Sequence, residues 1–296
     1  MQDPTPIQNV CVVTTGYGLG HREHVYGTRK PALWWIFFGK DRVRLPINVY
    51  VIEHSDGLIL FDAGADPRVV TDPNYWPDRV TGSFMRNIFD WEITPQDNLA
   101  TQLELAGYAA ADVSKVVISH FHADHVGGIG DVPQADLFGA KDAWEHMKGL
   151  HPEREMVLRR DIAILGAKWN EIAFQPTDDP ALAPFTESFD LMGDGSMVVL
   201  PTPGHMPGSV SMLVRLSDGP PLLFVGDLTY GQELLEQDRT PANGDTKVLL
   251  ESFAKVRALQ ETMPDLVILP AHDLQAGAKL ERGAVDSRGL DPVAVP

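Results

Sequence analysis

Cysteine is nearly absent: Cys11 is the one example in 296 residues. That excludes a disulfide framework and a cysteine-ligated zinc finger, and it fits a reducing compartment. Basic residues are scarce, with 24 Lys and Arg against 41 Asp and Glu and a formal charge of −17. Such a surface repels phosphate backbones, and no basic run offsets it, so no nucleic-acid partner is expected. Long apolar runs are missing as well. No stretch approaches the ~18 uncharged apolar residues of a spanning helix, and no membrane partner is expected. Met1-Gln2-Asp3-Pro4 offers neither a basic n-region nor an apolar h-region, so the expected location is cytoplasmic. The remainder is ordinary for a globular protein, with 44% hydrophobic and 22% charged residues. A chain of this length can bury a large core without covalent staples.

Short β-branched runs predict strands over residues 10–15, 49–53, 57–61, 116–119, 196–201, 209–214, 221–225 and 266–269. Helices are predicted over 94–106, where Thr94-Pro95-Gln96-Asp97 forms a capping pattern, and over 140–148, 154–165 and 246–263. Residues 66–89 read as an irregular surface excursion. No repeat, low-complexity tract or linker divides the chain. The expectation is one domain over 1–296, of layered α/β class, with 1–9 and 276–296 as flexible tails.

The chemistry concentrates in Ser119-His120-Phe121-His122-Ala123-Asp124-His125-Val126-Gly127-Gly128. Imidazole and carboxylate are ligands that zinc, iron, manganese and cobalt accept. His120 and His122 leave a strand two residues apart and can point to one side. Asp124 and His125 then turn away, so one loop can serve two adjacent metal sites. A structural zinc site or a chance cluster is the bland alternative, but the rest of the chain answers the motif. His205, Asp227 and His272 each lie just beyond the end of a predicted apolar strand. Strand ends that share one sheet edge bring such loops together. A structural site would not need all seven ligands.

The order His120-x-His122-x-Asp124-His125, then His205, Asp227 and His272, resembles the metallo-β-lactamase superfamily over nearly the whole chain. That resemblance implies a four-layer αβ/βα sandwich of two mixed β-sheets flanked by helices, with two divalent metal ions at one edge. Metal one would take His120, His122 and His205, and metal two Asp124, His125 and His272. Asp227 and a hydroxide would bridge them. Zinc is the default, and iron, manganese or cobalt would also fit. Two close cations lower the pKa of their water and make a nucleophile at neutral pH. Asp62 matches an early aspartate that orients a ligand histidine from behind; a plain turn aspartate is the alternative.

The fold alone does not set the substrate. Acylglutathione thioesterases carry a helical C-terminal domain, for which the 24 residues after His272 are too few. RNA-processing members need a positive surface or extra domains. True β-lactamases are mostly exported and usually lack an aspartate like Asp227, and flavin-linked oxygen reductases need a flavin domain. Tyr230, three positions after Asp227, resembles the N-acyl-homoserine lactone lactonases. Residues 45–52 and Thr202-Pro203-Gly204-His205-x-Pro207-Gly208-Ser209 are similar to that group too. The resemblance implies ring-opening hydrolysis of a small-molecule lactone, with hydroxide attacking the ester carbonyl. Tyr230 would hold the carbonyl oxygen, and Asp124 would take the proton and return it to the leaving alkoxide. Tyr230 as a packing residue is the alternative. A pyridoxolactonase-like or methyl-parathion-type phosphotriesterase would keep the same site, and a metal-dependent sensor or scaffold would bind metal without turnover.

Two features are less typical, namely the 80-residue connection from His125 to His205 and the aromatic run Trp34, Trp35, Phe37 and Phe38. Basic residues flank that run, which suggests a loop with apolar surface. Core, a homodimer contact and an acyl-chain groove are the alternatives. Phe84, Met85, Ile88, Phe89 and Trp91 could line the same groove.

Overall fold

The computed structural model describes residues 6–288. Among them, seven strands form the first sheet: β1 (Ile7–His21), β2 (Arg42–His54), β3 (Gly57–Phe61), β4 (Phe89–Glu92), β5 (Val113–Val117), β6 (Asp136–Ala140) and β7 (Lys168–Ile172). Their order is β4-β1-β2-β3-β5-β6-β7. The second sheet contains β8 (Gln175–Pro176), β9 (Glu187–Asp190), β10 (Met197–Pro201), β11 (Val210–Val214), β12 (Leu222–Gly226) and β13 (Val267–Pro270), in the order β13-β12-β11-β10-β9-β8. Both sheets are mixed: β3-β5-β6-β7 and β12-β13 pair in parallel, and the other pairs are antiparallel.

The strand period of two explains the layering. Along β2, Tyr50 and Ile52 face inward and meet Val199, Met212 and Phe224 of the second sheet. Tyr50 stacks on Phe224 at 4.3 Å. Val49 and Val51 face outward and pack with Leu99, Leu103 and Val126. On the second sheet Leu213, Leu223 and Ile268 face outward and take Leu249, Phe253 and Val256 of the helix Thr246–Thr262. Helix, sheet, sheet and helix follow one another. Central strands buried on both faces read as unbroken apolar runs.

Several elements differ from the sequence expectation. The predicted strand 116–119 is β5, which ends at Val117. The helix expected over 94–106 is a 3-10 turn, Pro95–Asp97, with the predicted Thr94 capping box, followed by the helix Leu99–Leu105. Residues 154–165 hold two short turns of helix, Pro152–Glu155 and Arg159–Ile162, in place of one long helix. The excursion 66–89 contains the helix Arg79–Ile88, started by the Asp78 carboxylate accepting from the Val80 and Thr81 amides. The expected tails are structured where they are described. Ile7 is buried at the start of β1, and Ala276 and Leu280 of the helix Ala276–Arg288 pack into the inter-sheet core. Residues 1–5 and 289–296 lie outside the described residues. No helix among the described residues is long and apolar enough to cross a membrane.

Candidate metal centre

Every candidate ligand sits beyond the C-terminal end of a strand. β5 leads through Ile118 and Ser119 to His120 and His122, and the short helix Ala123–Val126 then carries Asp124 and His125. β10 leads to His205, β12 to Asp227 and β13 to His272. The donors after β5 thus come from the first sheet, and those after β10, β12 and β13 from the second. At Gly226 the sheets come so close that a Cβ would lie 2.7 Å from Ser119 Cβ, and the residue has φ 53°. Only glycine fits both demands.

Two buried groups result: His120, His122, His205 and Asp227 form one, and Asp124, His125 and His272 the other. In the first, His122 Nδ1 lies 2.9 Å from His120 Nε2 and 3.2 Å from His205 Nε2. Asp227 divides its oxygens between the groups. Oδ2 is 3.4 Å from His205 Nε2, while Oδ1 is 3.4 Å from His125 Nε2 and 3.1 Å from His272 Nε2. Asp124 adds Oδ1 at 3.8 Å from His125 Nε2 and Oδ2 at 3.6 Å from His272 Nε2. Ligand atoms on a tetrahedral zinc stand about 3.3 Å apart, so these spacings suit a divalent cation in each group. His125 Nε2 and Asp227 Oδ1 are moreover buried without a hydrogen-bond partner. Buried polar atoms are normally satisfied, and a cation would satisfy both. The donor set therefore fits metal.

At His120, His125 and His272 the ring nitrogen turned away from the centre is held by a hydrogen bond. His125 Nδ1–H donates to Asp62 Oδ2 at 2.8 Å, and His272 Nδ1–H donates to the Pro46 carbonyl at 2.7 Å. In each, Nε2 is the ring nitrogen that faces the site. Asp62, at φ 67°, also accepts from the Ser119 amide at 2.7 Å and the Ser119 hydroxyl at 2.9 Å. With its proton committed to Asp62, Ser119 Oγ accepts from His120 Nδ1–H at 3.0 Å. The segment 45–52 has a structural duty too. Asn48 Nδ2 donates to the Asp273 carbonyl at 2.9 Å and Tyr50 Oη to the Pro270 carbonyl at 2.6 Å, which ties β2 to the His272 loop.

Burial pushes His122 and His205 down to about 3. Burial, with His125 and His122 alongside, holds His120 well below its usual value. In the second group burial works downward on His125, but Asp227, Asp62 and Asp124 outweigh it and hold the imidazole well above its usual value. His272 is raised in the same way, Asp227 outweighing burial. Burial works to raise Asp227, yet His272 and His125 hold it well below the usual carboxylate range.

A sequence profile described as the Metallo-beta-lactamase superfamily matches residues 42–272, well over half of the chain. The chain belongs to the metallo-beta-lactamase superfamily. It is 29% identical over 244 residues to the N-acyl homoserine lactonase AttM of Rhizobium radiobacter, covering 80% of this chain and 86% of that protein. It is 23% identical over 237 residues to the N-acyl homoserine lactonase AiiA of Bacillus thuringiensis subsp. kurstaki, covering 79% of this chain and 83% of that one. Among solved structures, an N-acyl homoserine lactone hydrolase with N-hexanoyl-L-homoserine at its metal center shares the fold. The TM-score is 0.73 at 19% identity, over 91% of this chain and 94% of that one.

In this superfamily member the ligands open onto a cavity of about 700 Å³. His122 and His205 border it, and Trp35, Ile36, Met85, Ile88, Met206 and Val248 give it apolar walls. The aromatic expectation needs correction. Residues 32–38 form a helix, not a loop, and of the seven aromatics expected at the groove only Trp35 lines the cavity. Trp34 and Phe37 sit on the opposite face and are 46% and 55% exposed. Phe84 packs among Tyr75, Trp76 and Met85, and Phe89 among Val25, Leu45 and Tyr230. Seven consecutive apolar residues gave no periodicity from which to tell the two faces apart.

Tyr230 stands beside the ligands. Its hydroxyl donates to Asp227 Oδ2 at 3.2 Å, and its ring stacks on His272 at 5.4 Å. Burial and the Asp227 carboxylate raise its pKa well above the usual value, so the phenol keeps its proton. Sequence reasoning missed His24, which borders the cavity and lies 3.0 Å from the Tyr230 hydroxyl. Nothing in the spacing links two residues so far apart in the chain.

Proposed function

We propose that the protein hydrolyses a lactone ring, with N-acyl-homoserine lactones as substrates and two divalent cations at the two ligand groups. His120, His122 and His205 would hold one, Asp124, His125 and His272 the other, and Asp227 both. Bound there, zinc or a similar cation supplies Lewis acidity, polarising the ester carbonyl and lowering the pKa of water. Tyr230 donates a hydrogen bond from its phenol O–H to the carbonyl oxygen as negative charge develops on it. Asp124 takes a proton from the attacking water and returns it to the ring oxygen as the C–O bond breaks. The product is an open hydroxy acid, which releases a proton at neutral pH. The apolar walls, Trp35, Met85 and Met206 among them, accept the acyl chain.

The observation that carries this reading is the Asp227 carboxylate, whose oxygens face different ligand groups while the Tyr230 hydroxyl rests on one of them. The likeness to AttM supports the substrate class. The test is acid release on adding N-octanoyl-homoserine lactone to the zinc-loaded protein, with a chelator-treated control. Chelator-sensitive release is expected, and Tyr230→Phe should lower turnover about 10²-fold with metal content unchanged. No release from a protein that retains two metals per chain would overturn the substrate assignment.

A further inference from the structure

His24 takes no part in the ligand groups, yet it is buried and lines the same cavity as His122 and His205. It lies in the short helix Arg22–Tyr26, where its carbonyl accepts from the Ala242 amide at 2.9 Å. A Cβ at Gly27, φ 70°, would collide with the Thr240 carbonyl, so the turn after His24 sits directly on that loop. Three aromatic rings hold the imidazole edge to face: Trp35 at 6.1 Å, Phe89 at 6.3 Å and Tyr230 at 5.7 Å. Its one side-chain hydrogen bond among the described residues joins Nε2 to the Tyr230 hydroxyl at 3.0 Å.

That hydroxyl has two polar neighbours and one proton to give. Asp227 Oδ2 lies 3.2 Å away and, as a carboxylate oxygen, can only accept. His24 Nε2 can either donate or accept, according to its tautomer. If it accepted, the phenol proton would turn to His24, and the phenol oxygen and the carboxylate would face each other through lone pairs. If it donates, both contacts are satisfied in one direction, from His24 to Tyr230 to Asp227. Such chains strengthen each member.

We propose that His24 is a positioning residue for Tyr230: its Nε2–H donates to the phenol oxygen, and the phenol O–H is thereby aimed at the ligand groups, ready to hydrogen-bond a substrate carbonyl oxygen. The proposal rests on the lactonase reading for its kinetic consequence, but not for the hydrogen bond itself. With the other tautomer, Tyr230 would donate into the wall and could not serve as an oxyanion donor. In this role His24 acts through Tyr230, whose hydroxyl it contacts at 3.0 Å.

The test uses the full-length zinc-loaded protein and three readouts. Ring nitrogen shifts of ¹⁵N-histidine-labelled wild-type protein report the His24 tautomer, and Nε2–H is expected. In protein labelled with 3-fluorotyrosine, the Tyr230 line, assigned by its loss in Tyr230→Phe, should be sharp in the wild type. It should broaden or split in His24→Phe and sharpen again in His24→Gln, whose amide N–H can replace Nε2–H. In kinetics with N-octanoyl-homoserine lactone, His24→Phe should lower kcat about tenfold with KM within about twofold. His24→Gln should return kcat to within about threefold of the wild type, and His24→Phe should cost nothing further in a Tyr230→Phe background.

A protonated Nδ1 with a bare Nε2 overturns the proposal, and so does a His24→Phe protein whose fluorine line and kcat match the wild type. The tautomer is read on the unmodified chain, so a variant that fails to fold does not remove the test. Absence of lactone turnover in the wild type overturns the functional reading only. The nitrogen and fluorine signals still decide the His24 contact.

Discussion

The two ligand groups are built from the same imidazole side chain and tune it in opposite directions. His120, His122 and His205 share one carboxylate, Asp227, and burial dominates. Their protons are expelled, down to about 3 for His122 and His205. His125 and His272 are equally buried, but Asp62, Asp124 and Asp227 surround them and hold their protons. Burial alone does not decide the charge state of a histidine; the number of carboxylates in reach does. The first group is a set of bare lone pairs before any cation arrives, while the second must give up protons to bind one.

Asp227 is the residue through which the comparison can be broken most completely, because its oxygens face both groups. Asp227→Ala should lower lactone turnover by about 10³-fold or more and strip metal from both groups, as measured by elemental analysis after dialysis. His122→Ala and His272→Ala should each lower the metal content by one equivalent. Two retained metals in Asp227→Ala would remove its bridging position.

Asp62 sharpens the contrast, since it supports the second group directly. Asp62→Asn should weaken metal at that group about 10- to 100-fold, read by competition with a chelator. The first group should lose far less, through Ser119 alone. Equal weakening of both groups would show that Asp62 acts through the loop as a whole and not through His125.

The smallest effect is a proton count. In metal-free protein, His125 and His272 have raised pKa values and hold their protons to higher pH than His122 and His205 do. Zinc entering the second group should therefore release protons into weak buffer, and zinc entering the first should release none. It follows that affinity at the second group rises with pH around neutrality. Affinity at the first stays level until the pH falls toward about 3. His272→Ala should diminish the proton-releasing phase, and equal release from both groups would contradict the assignment.

The ligands were legible in the sequence for a physical reason. Each follows a short apolar strand, and a strand buried on both faces leaves an unbroken apolar run that ends where the chain meets solvent. β6, β7 and β9 left no such mark. Asp136-Leu137-Phe138-Gly139-Ala140 begins with an acid and contains a glycine, and β7 exposes Lys168, Asn170 and Glu171. The 80-residue connection from His125 to His205 looked atypical because these quiet strands carry the chain from one sheet to the other. Asp62 could be read because it too ends a strand, β3. His24 could not, since its partner, Tyr230, is brought to it only by tertiary packing.

The donors also come from both sheets. His120, His122, Asp124 and His125 follow β5 in one, while His205, Asp227 and His272 follow β10, β12 and β13 in the other. Any cation bound to either group is therefore a rivet across the open edge of the sandwich. Ligand binding of this kind adds directly to the free energy of folding, about 4 kcal/mol at a free metal concentration 1,000 times Kd. The sandwich should melt from that edge, and the temperature at which it does so should track the metal supply as much as the quality of the core.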